Sequence, residues 1–314
     1  VSLSVVVPAH ARPLRLLWLL NALEEQTTPP DEVVVVHDHD PKIAARILDA
    51  HPLAAAGVLR HIAIPPGTGH PARQRNLGWR AARGDLVAFT DDDCRPDAAW
   101  LERLAASARD DAFVQGAVRP DPFEHDVFAA PHVRTLRSDP PSRFAQTANV
   151  LYPRGVLESL GGFDEGLVTG EDMDLGIRAR AAGAEHLAAS GAIVFHAVEA
   201  MSLTGALRAG WWWGDLAAVV RRHPELRREL TLRVFWEPDH LLVLLAAVGA
   251  VAATRRRGAA LLAVPWVARE ATRRGTRPVD LAVNATELPG RAIARLGRVA
   301  AFAAGSLRHR TPVL

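Results

Sequence analysis

Leu3 to Val7 is an unbroken apolar run that ends at Pro8, the pattern of a strand buried on both faces of a parallel sheet. A helical pattern follows from about Pro13 to Glu25, then an apolar strand at Glu32–Val36, a helix at Ala44–Ala50 and a strand at Val58–Ile64. Pro71–Arg83 reads as a further helix and Leu86–Thr90 as a fourth strand. This alternation predicts an α/β fold, a mostly parallel Rossmann-like sheet with helices on both faces. In such sheets ligands collect beyond the carboxyl ends of the strands. Pro8–Arg12, His37–Asp40 and Asp91–Asp93 all fall at such ends, so the topology predicts that they meet in one crevice. Pro120–Pro141, rich in Pro, Asp and His, reads as an ordered loop or a cover near it.

Beyond about residue 200 the pattern becomes helical. Leu241–Thr254 and Gly258–Ala268 are apolar stretches separated by Arg255–Arg257. Each is shorter than the roughly 20 residues that cross a bilayer. Residues 241–268 are therefore expected to form a helical hairpin, packed on the preceding domain or dipped into one leaflet. In residues 290–308, Arg291, Arg295 and Arg298 share a helical face, with Ile293, Leu296 and Val299 turned away. That pattern suits a basic amphipathic helix lying on a membrane, or an ordinary surface helix. Trp211–Trp213 cannot all face one side of a helix, so at least one is expected at a ligand crevice or a membrane interface while the others pack. The expected organisation is a catalytic domain over 1–200, with halves of about 1–95 and 96–200, and a helical extension over 201–314.

Composition refines this picture. The chain has 314 residues, 49% apolar and 23% charged, as a globular protein has. A single cysteine, Cys94, excludes an internal disulfide framework and a cysteine-based zinc cluster. The net charge of +2 hides an asymmetry: residues 1–202 hold 19 basic against 27 acidic side chains, and residues 203–314 hold 18 against 8. The basic part suggests an anionic neighbour such as a phospholipid surface. Nucleic acid is not the expected partner, because no recognition helix, finger or RNA-binding signature is present. No secretory leader pattern opens the sequence, so the expected location is cytoplasmic, at the cytoplasmic face of the membrane.

The strongest chemical signal is FTDDDCRPD, Phe89–Asp97. Three adjacent carboxylates cannot be buried without partners, and hard oxygen ligands at a strand end suit Mg²⁺ or Mn²⁺. Glu171 and Asp172 form a second acidic pair that could take a proton from a hydroxyl nucleophile. SVVVPAHAR, DEVVVVHDHD, ARQRNLGWRAARGDLVAFTDDDCRPDAAWL and GGFDEGLVTGEDMDLGIRARAAG occur in that order over Val1–His196. Together they resemble the successive signatures of the inverting glycosyltransferases of family two, which have the nucleotide-diphospho-sugar (GT-A) fold. The C-terminal hairpin and basic helix resemble, less specifically, those of actinobacterial members.

The resemblance implies a metal-dependent enzyme that moves a sugar from a nucleotide diphosphate, in the first instance a UDP-sugar, to a hydroxyl of a lipid-linked, polysaccharide or glycoconjugate acceptor. It implies Asp172 as general base with Glu171 beside it, and Asp91, Asp93 and His196 as ligands of Mn²⁺ or Mg²⁺. It places Pro8, Ala9, His10, Arg12, Asp38, Arg75, Asn76, Asp91, Asp92, Gly162 and Phe163 around the nucleotide-sugar. Asp38 would accept the ring N–H of the base, with Asp40 a weaker candidate or a helix cap. The register of the acidic triplet stays open. A nucleotidyltransferase would want a glycine-rich loop after the first strand, and an oxidoreductase a G-x-G-x-x-G; neither is present. The alternative is a non-catalytic carbohydrate-binding or scaffold protein on a transferase-like fold.

Overall fold

The computed structural model describes all residues, Val1–Leu314, as two compact units: residues 1–126 with 135–198, and residues 127–134 with 199–314. The first unit holds strands β1 (Leu3–Ala9), β2 (Glu32–His37), β3 (Leu59–Ala63), β4 (Leu86–Phe89), β5 (Cys94–Pro96) and β6 (Ala112–Pro120). The short strand β7 (His132–Arg134) falls in the second unit, and β8 (Val150–Pro153) and β9 (Glu185–His196) in the first. The helices of the first unit are α1 (Pro13–Glu24), α2 (Pro41–Ala44), α3 (Pro52–Ala55), α4 (Pro71–Ala81), α5 (Trp100–Ala105), α6 (Arg154–Leu160) and α7 (Glu171–Ala181).

The sheet runs β3-β2-β1-β4-β8-β6-β9-β5. β1, β2, β3 and β4 pair in parallel, as their apolar runs predict. From β4 onward the sheet is mixed: β8 lies antiparallel to β4 and β6, β9 parallel to β6, and β5 antiparallel to β9. Successive side chains of a strand point to opposite faces. Val5 and Val7 of β1 accordingly join Leu16, Leu19, Leu20 and Leu23 of α1 in one core. Val6 joins Trp79 of α4, Phe89 and Tyr152 in the other. Full burial of each such valine contributes about 1.5–3 kcal/mol. Gly78 lets α4 lie close on β1, since a Cβ there would collide with Val6. Where the ladder between β6 and β9 skips at Gly116/Ala117, the buried Asn149 fills the gap. Its Nδ2 donates to the Ala117 and Ala192 carbonyls and its Oδ1 accepts from Trp100 Nε1.

The second unit pairs β7 with β10 (Glu199–Met201) and is otherwise helical: α8 (Leu203–Trp211), α9 (Leu216–Arg222), α10 (Pro238–Ala253), α11 (Val264–Ala271) and α12 (Pro278–His309). The apolar stretch folds back on itself after α10, where a Cβ on Gly249 would come within 2.8 Å of the Ala259 carbonyl and 2.9 Å of Leu262 Cβ. No helix is long and apolar enough to cross a membrane. Helix α12 is longer than the pattern over 290–308 indicates, and its arginines do not form a free basic face. Arg291 is buried between Glu270 and Glu287, Arg295 reaches Glu237 and Asp239, and Arg298 reaches Glu237 and lies over the Trp213 ring. Burial of an unpaired guanidinium is too costly for any other arrangement. Trp211 and Trp212 are exposed.

Candidate active site

Three strand ends of the first unit supply the crevice. The chain leaves β1 at His10, turns at Ala11 in the left-handed region (φ +55°) and enters α1 with Arg12 as its N-cap. β2 ends in His37, followed by Asp38 and His39. His61 Nε2 donates to Asp49 (2.8 Å), His37 Nε2 to His61 Nδ1 (3.0 Å), and the His39 N–H to His37 Nδ1 (3.2 Å). This relay holds the strand end that presents Asp38. Burial pushes His37 down to about 4, with His61 adding to it, so the His37 ring is neutral at pH 7. Asp38 accepts from His10 Nδ1 at 2.8 Å and from the Gly67 and Gly69 N–H groups at 3.1 and 3.2 Å. Burial alone would raise this carboxyl; these donors outweigh it and hold it below the usual range. Asp40 caps α2 by accepting from the Lys42 N–H.

The acidic triplet forms the turn from β4 to β5, and each member has a different environment. Asp91 receives Arg75 Nη2 at 2.7 Å, while Arg75 Nη1 donates to Glu171 at 2.6 Å. Arg75 is 4% exposed and joins the triplet to the first turn of α7. Burial opposes its charge, but Asp91 and Glu171 overcome that, and its pKa is raised. Burial likewise acts to raise Asp91, and Arg75 holds it down. Asp92 is fixed by the His10 N–H (2.8 Å) and by Arg12 Nη2 (2.9 Å). Burial pushes it up to about 7 against Arg12. Asp93 pairs with Arg12 Nη1 and faces His196 Nε2 at 3.6 Å.

Asp172 lies beside Glu171 at the start of α7 and accepts the Met173 N–H at 2.8 Å. Burial, then the charge of Glu171, push its carboxyl up to about 7 against the pull of Arg75. A carboxylate of that basicity is matched to proton abstraction near neutral pH. Its helix is stabilised behind it by the Asp174–Arg178 pair at 2.8 Å, at the predicted i,i+4 spacing.

Arg12 and the triplet meet, as the strand-end argument predicts, and Arg75, His196 and the Glu171–Asp172 pair lie with them. Others do not behave as expected. Asn76 is 1% exposed, and its amide is fully engaged with Phe163, Glu165 and Trp79, leaving nothing for a nucleotide. Gly162 (φ +78°) faces Asn76 and Trp79, where a Cβ would meet both at 2.5 Å, and Phe163 packs edge-on to Phe89 in the core. These three build the support of the crevice. Asp91 also departs from the expected ligand set. Arg75 holds Asp91, and no three His, Cys, Asp or Glu side chains close around one point. Sequence reasoning missed the Gly67 and Gly69 amides, for which the glycine-rich PPGTG was an available signal, and Gln74, whose Nε2 ties the Ala9 and Val36 carbonyls.

The residues present fit a divalent ion. The Nδ1–H of His196 donates to the Ala197 carbonyl at 2.8 Å, which leaves the Nε2 lone pair facing Asp93. An imidazole oriented by a carbonyl beside a buried carboxylate is a two-ligand set of the kind Mg²⁺ and Mn²⁺ complete with phosphate oxygens and water.

Residues 4–157 match the family described as Glycosyl transferase family 2. A pre-mycofactocin glycosyltransferase of Mycobacterium tuberculosis is 28% identical over 246 residues, 74% of this chain and 50% of that protein. The glycosyltransferase AglE of Haloferax volcanii is 26% identical over 193 residues, 57% of this chain and 62% of that one. The chain thus spans about half to three fifths of the length of these curated relatives. Among solved structures, the mannosyltransferase PcManGT of Pyrobaculum calidifontis, in complex with GDP-Man and Mn²⁺, superposes with a TM-score of 0.56 at 20% identity, covering 98% of this chain and 86% of that one. S. aureus TarS 1–349 in complex with UDP-GlcNAc gives 0.52 at 15% identity, covering 99% and 93%. The sheet shares the GT-A architecture of these neighbours. The motif order, the strand-end acidic triplet and these likenesses agree: residues 4–157, just under half of the chain, match glycosyltransferase family 2, and the chain is similar to members of that family.

Proposed function

We propose that this protein is a metal-dependent inverting glycosyltransferase that takes a sugar from a UDP-sugar and passes it to a hydroxyl of a lipid-linked or polysaccharide acceptor. The observation that carries the reading is the buried Arg75, which joins Asp91 of the triplet to Glu171 beside a carboxyl raised to about 7. A donor-binding motif and a candidate base are thereby held in one rigid crevice. Asp93 and His196 would hold the ion, Mn²⁺ or Mg²⁺, whose charge stabilises the departing diphosphate when bound. The acceptor hydroxyl gives its proton to Asp172 as its oxygen bonds to the anomeric carbon, and the bond from that carbon to the diphosphate oxygen breaks on the opposite face. One displacement inverts the configuration. Burial, and then Glu171, which Arg75 fixes beside it, make Asp172 basic.

The choice of uracil rests on Asp38. Its Oδ2 already receives the Gly67 and Gly69 amides, so Oδ1, covered by the exposed His10 ring, is the oxygen left for a base. One ring N–H, as in uracil, needs one oxygen; the paired donors of guanine need two. PcManGT was solved with GDP-Man, so guanine is the competitor to test. Pro8 and Ala9, buried at the end of β1, would form the floor of this pocket. Peripheral membrane contact, with the protein at the cytoplasmic face, would use the exposed Val248, Val251, Leu261 and Val264 beside Arg255–Arg257.

Calorimetric titration of UDP, GDP and dTDP, with and without Mn²⁺, on wild type and Asp93→Ala tests the reading. UDP should bind best, with Mn²⁺, and lose at least tenfold in affinity in the variant. No nucleotide binding by folded wild type would favour the non-catalytic scaffold.

A further inference from the structure

Arg12 stands where an exogenous cation is expected. Its guanidinium bonds Asp92 with Nη2 at 2.9 Å and Asp93 with Nη1, so it spans the two most buried carboxylates of the triplet. Those side chains are 2% and 3% exposed, and Asp92 is pinned further by the His10 N–H. Arg12 itself is 31% exposed at the mouth of the crevice, on the turn between β1 and α1. The carboxylates are therefore the fixed partners and the long guanidinium side chain is the exchangeable one. A divalent ion on Asp93 and His196 would sit within like-charge range of Arg12, and both cannot keep Asp93. A diphosphate, in contrast, offers a guanidinium new anionic oxygens in a geometry that suits its planar fork.

We propose that Arg12 is an internal counter-cation that holds Asp92 and Asp93 in the metal-free protein and passes to the diphosphate when the ion binds. The inference rests on the nucleotide-sugar reading and adds to it a coupling. The ion alone must displace Arg12 without compensation and binds weakly. The ion with a diphosphate releases Arg12 to a better partner and binds tightly. By linkage, each ligand raises the affinity of the other by the same factor.

The test is Mn²⁺ binding to the full chain by electron paramagnetic resonance, without and with UDP, for wild type, Arg12→Gln and Arg12→Lys. Arg12→Gln should bind Mn²⁺ alone about tenfold more tightly than wild type, bind UDP more weakly at saturating Mn²⁺, and lose most of the coupling. Arg12→Lys keeps the charge and should restore weak binding of Mn²⁺ alone, which a purely structural role for the planar group does not predict. Removal of the guanidinium leaves two buried carboxylates unpaired, so thermal melting accompanies the titration. Mn²⁺ should raise Tm more in Arg12→Gln than in wild type. Unchanged or weaker binding of Mn²⁺ alone by Arg12→Gln, in a wild type that still binds Mn²⁺ and UDP together, overturns this proposal and leaves the functional reading intact. Wild type that takes up neither, singly or together, overturns both.

Discussion

Each unit of the molecule buries an ionic cluster, and the two clusters differ in their balance of charge. In the sheet unit, Asp91, Asp92, Asp93, Glu171 and Asp172 face Arg12 and Arg75, so carboxylates outnumber guanidiniums. In the helical unit, Glu270 and Glu287 face Arg291 and Arg274, and Asn284 accepts from Arg291. Arg274 completes the set by donating to the carbonyls of Phe128, Ala129 and Ala130. The second cluster, to which Arg273 adds a longer contact with Glu270 at 3.8 Å, has no excess of carboxylates and ties helices to a loop. The first carries excess negative charge at strand ends, and that excess is what an ion and its diphosphate would meet. Buried arginine is thus no guide to function by itself; the unbalanced remainder is.

The comparison breaks most visibly at Arg291. Its replacement by alanine leaves buried Glu270 with only the half-exposed Arg273 at 3.8 Å, while Glu287 keeps Arg274, and should destabilise the helical unit by about 3 kcal/mol, read as a lowered denaturation midpoint, with UDP affinity unchanged. Glu270→Leu with Arg291→Met removes both charges and should recover most of that loss, because apolar packing replaces a closed ion pair at little cost. An equal loss in the double variant would show that the network has a role beyond packing.

The open cluster should instead respond to pH. With Asp172 raised to about 7, kcat/KM should fall about tenfold per pH unit below that point and level off above it. The native carboxyl keeps its proton where the unfolded one, near 3.9, has lost it, so stability declines as pH rises from about 4 through about 7. Asp172→Asn should accordingly melt higher than wild type at pH 8, with the difference closing by pH 4. A difference that grows toward acid would place the strain elsewhere.

The smallest effect concerns the hairpin. Val251→Asp with Leu261→Asp places charge on two side chains that are 74% and 72% exposed. Co-sedimentation with phosphatidylglycerol vesicles should drop a few-fold while the melting curve stays unchanged. Equal pelleting of both proteins would remove the membrane from the account.

The parallel half of the sheet was legible because each apolar run had one solution. Leu3–Ala9, Glu32–His37 and Leu86–Phe89 are continuous and short, and they alternate with helices. The triplet and Pro8–Arg12 could be brought together from sequence, since strand ends of such a sheet share one side. β6 and β8 escaped, because pairing direction in the mixed half depends on contacts distant in sequence. The packing of Asn76, Gly162 and Phe163 was not legible for a similar reason: a motif shows that residues are near a site, and only packing shows which way they face. Arg291 and Arg298 looked like a basic face because helical spacing records position on a helix and not the acid on the next one.

The account turns on Asp172 as the base of a transferase. Release of UDP from a panel of UDP-sugars, measured beside UDP–Mn²⁺ affinity on wild type and Asp172→Asn, tests it most directly. The expected result is turnover lowered by about 10²–10⁴ with UDP affinity within about twofold, as loss of a general base without loss of the donor site requires. Turnover equal to wild type in Asp172→Asn would contradict it.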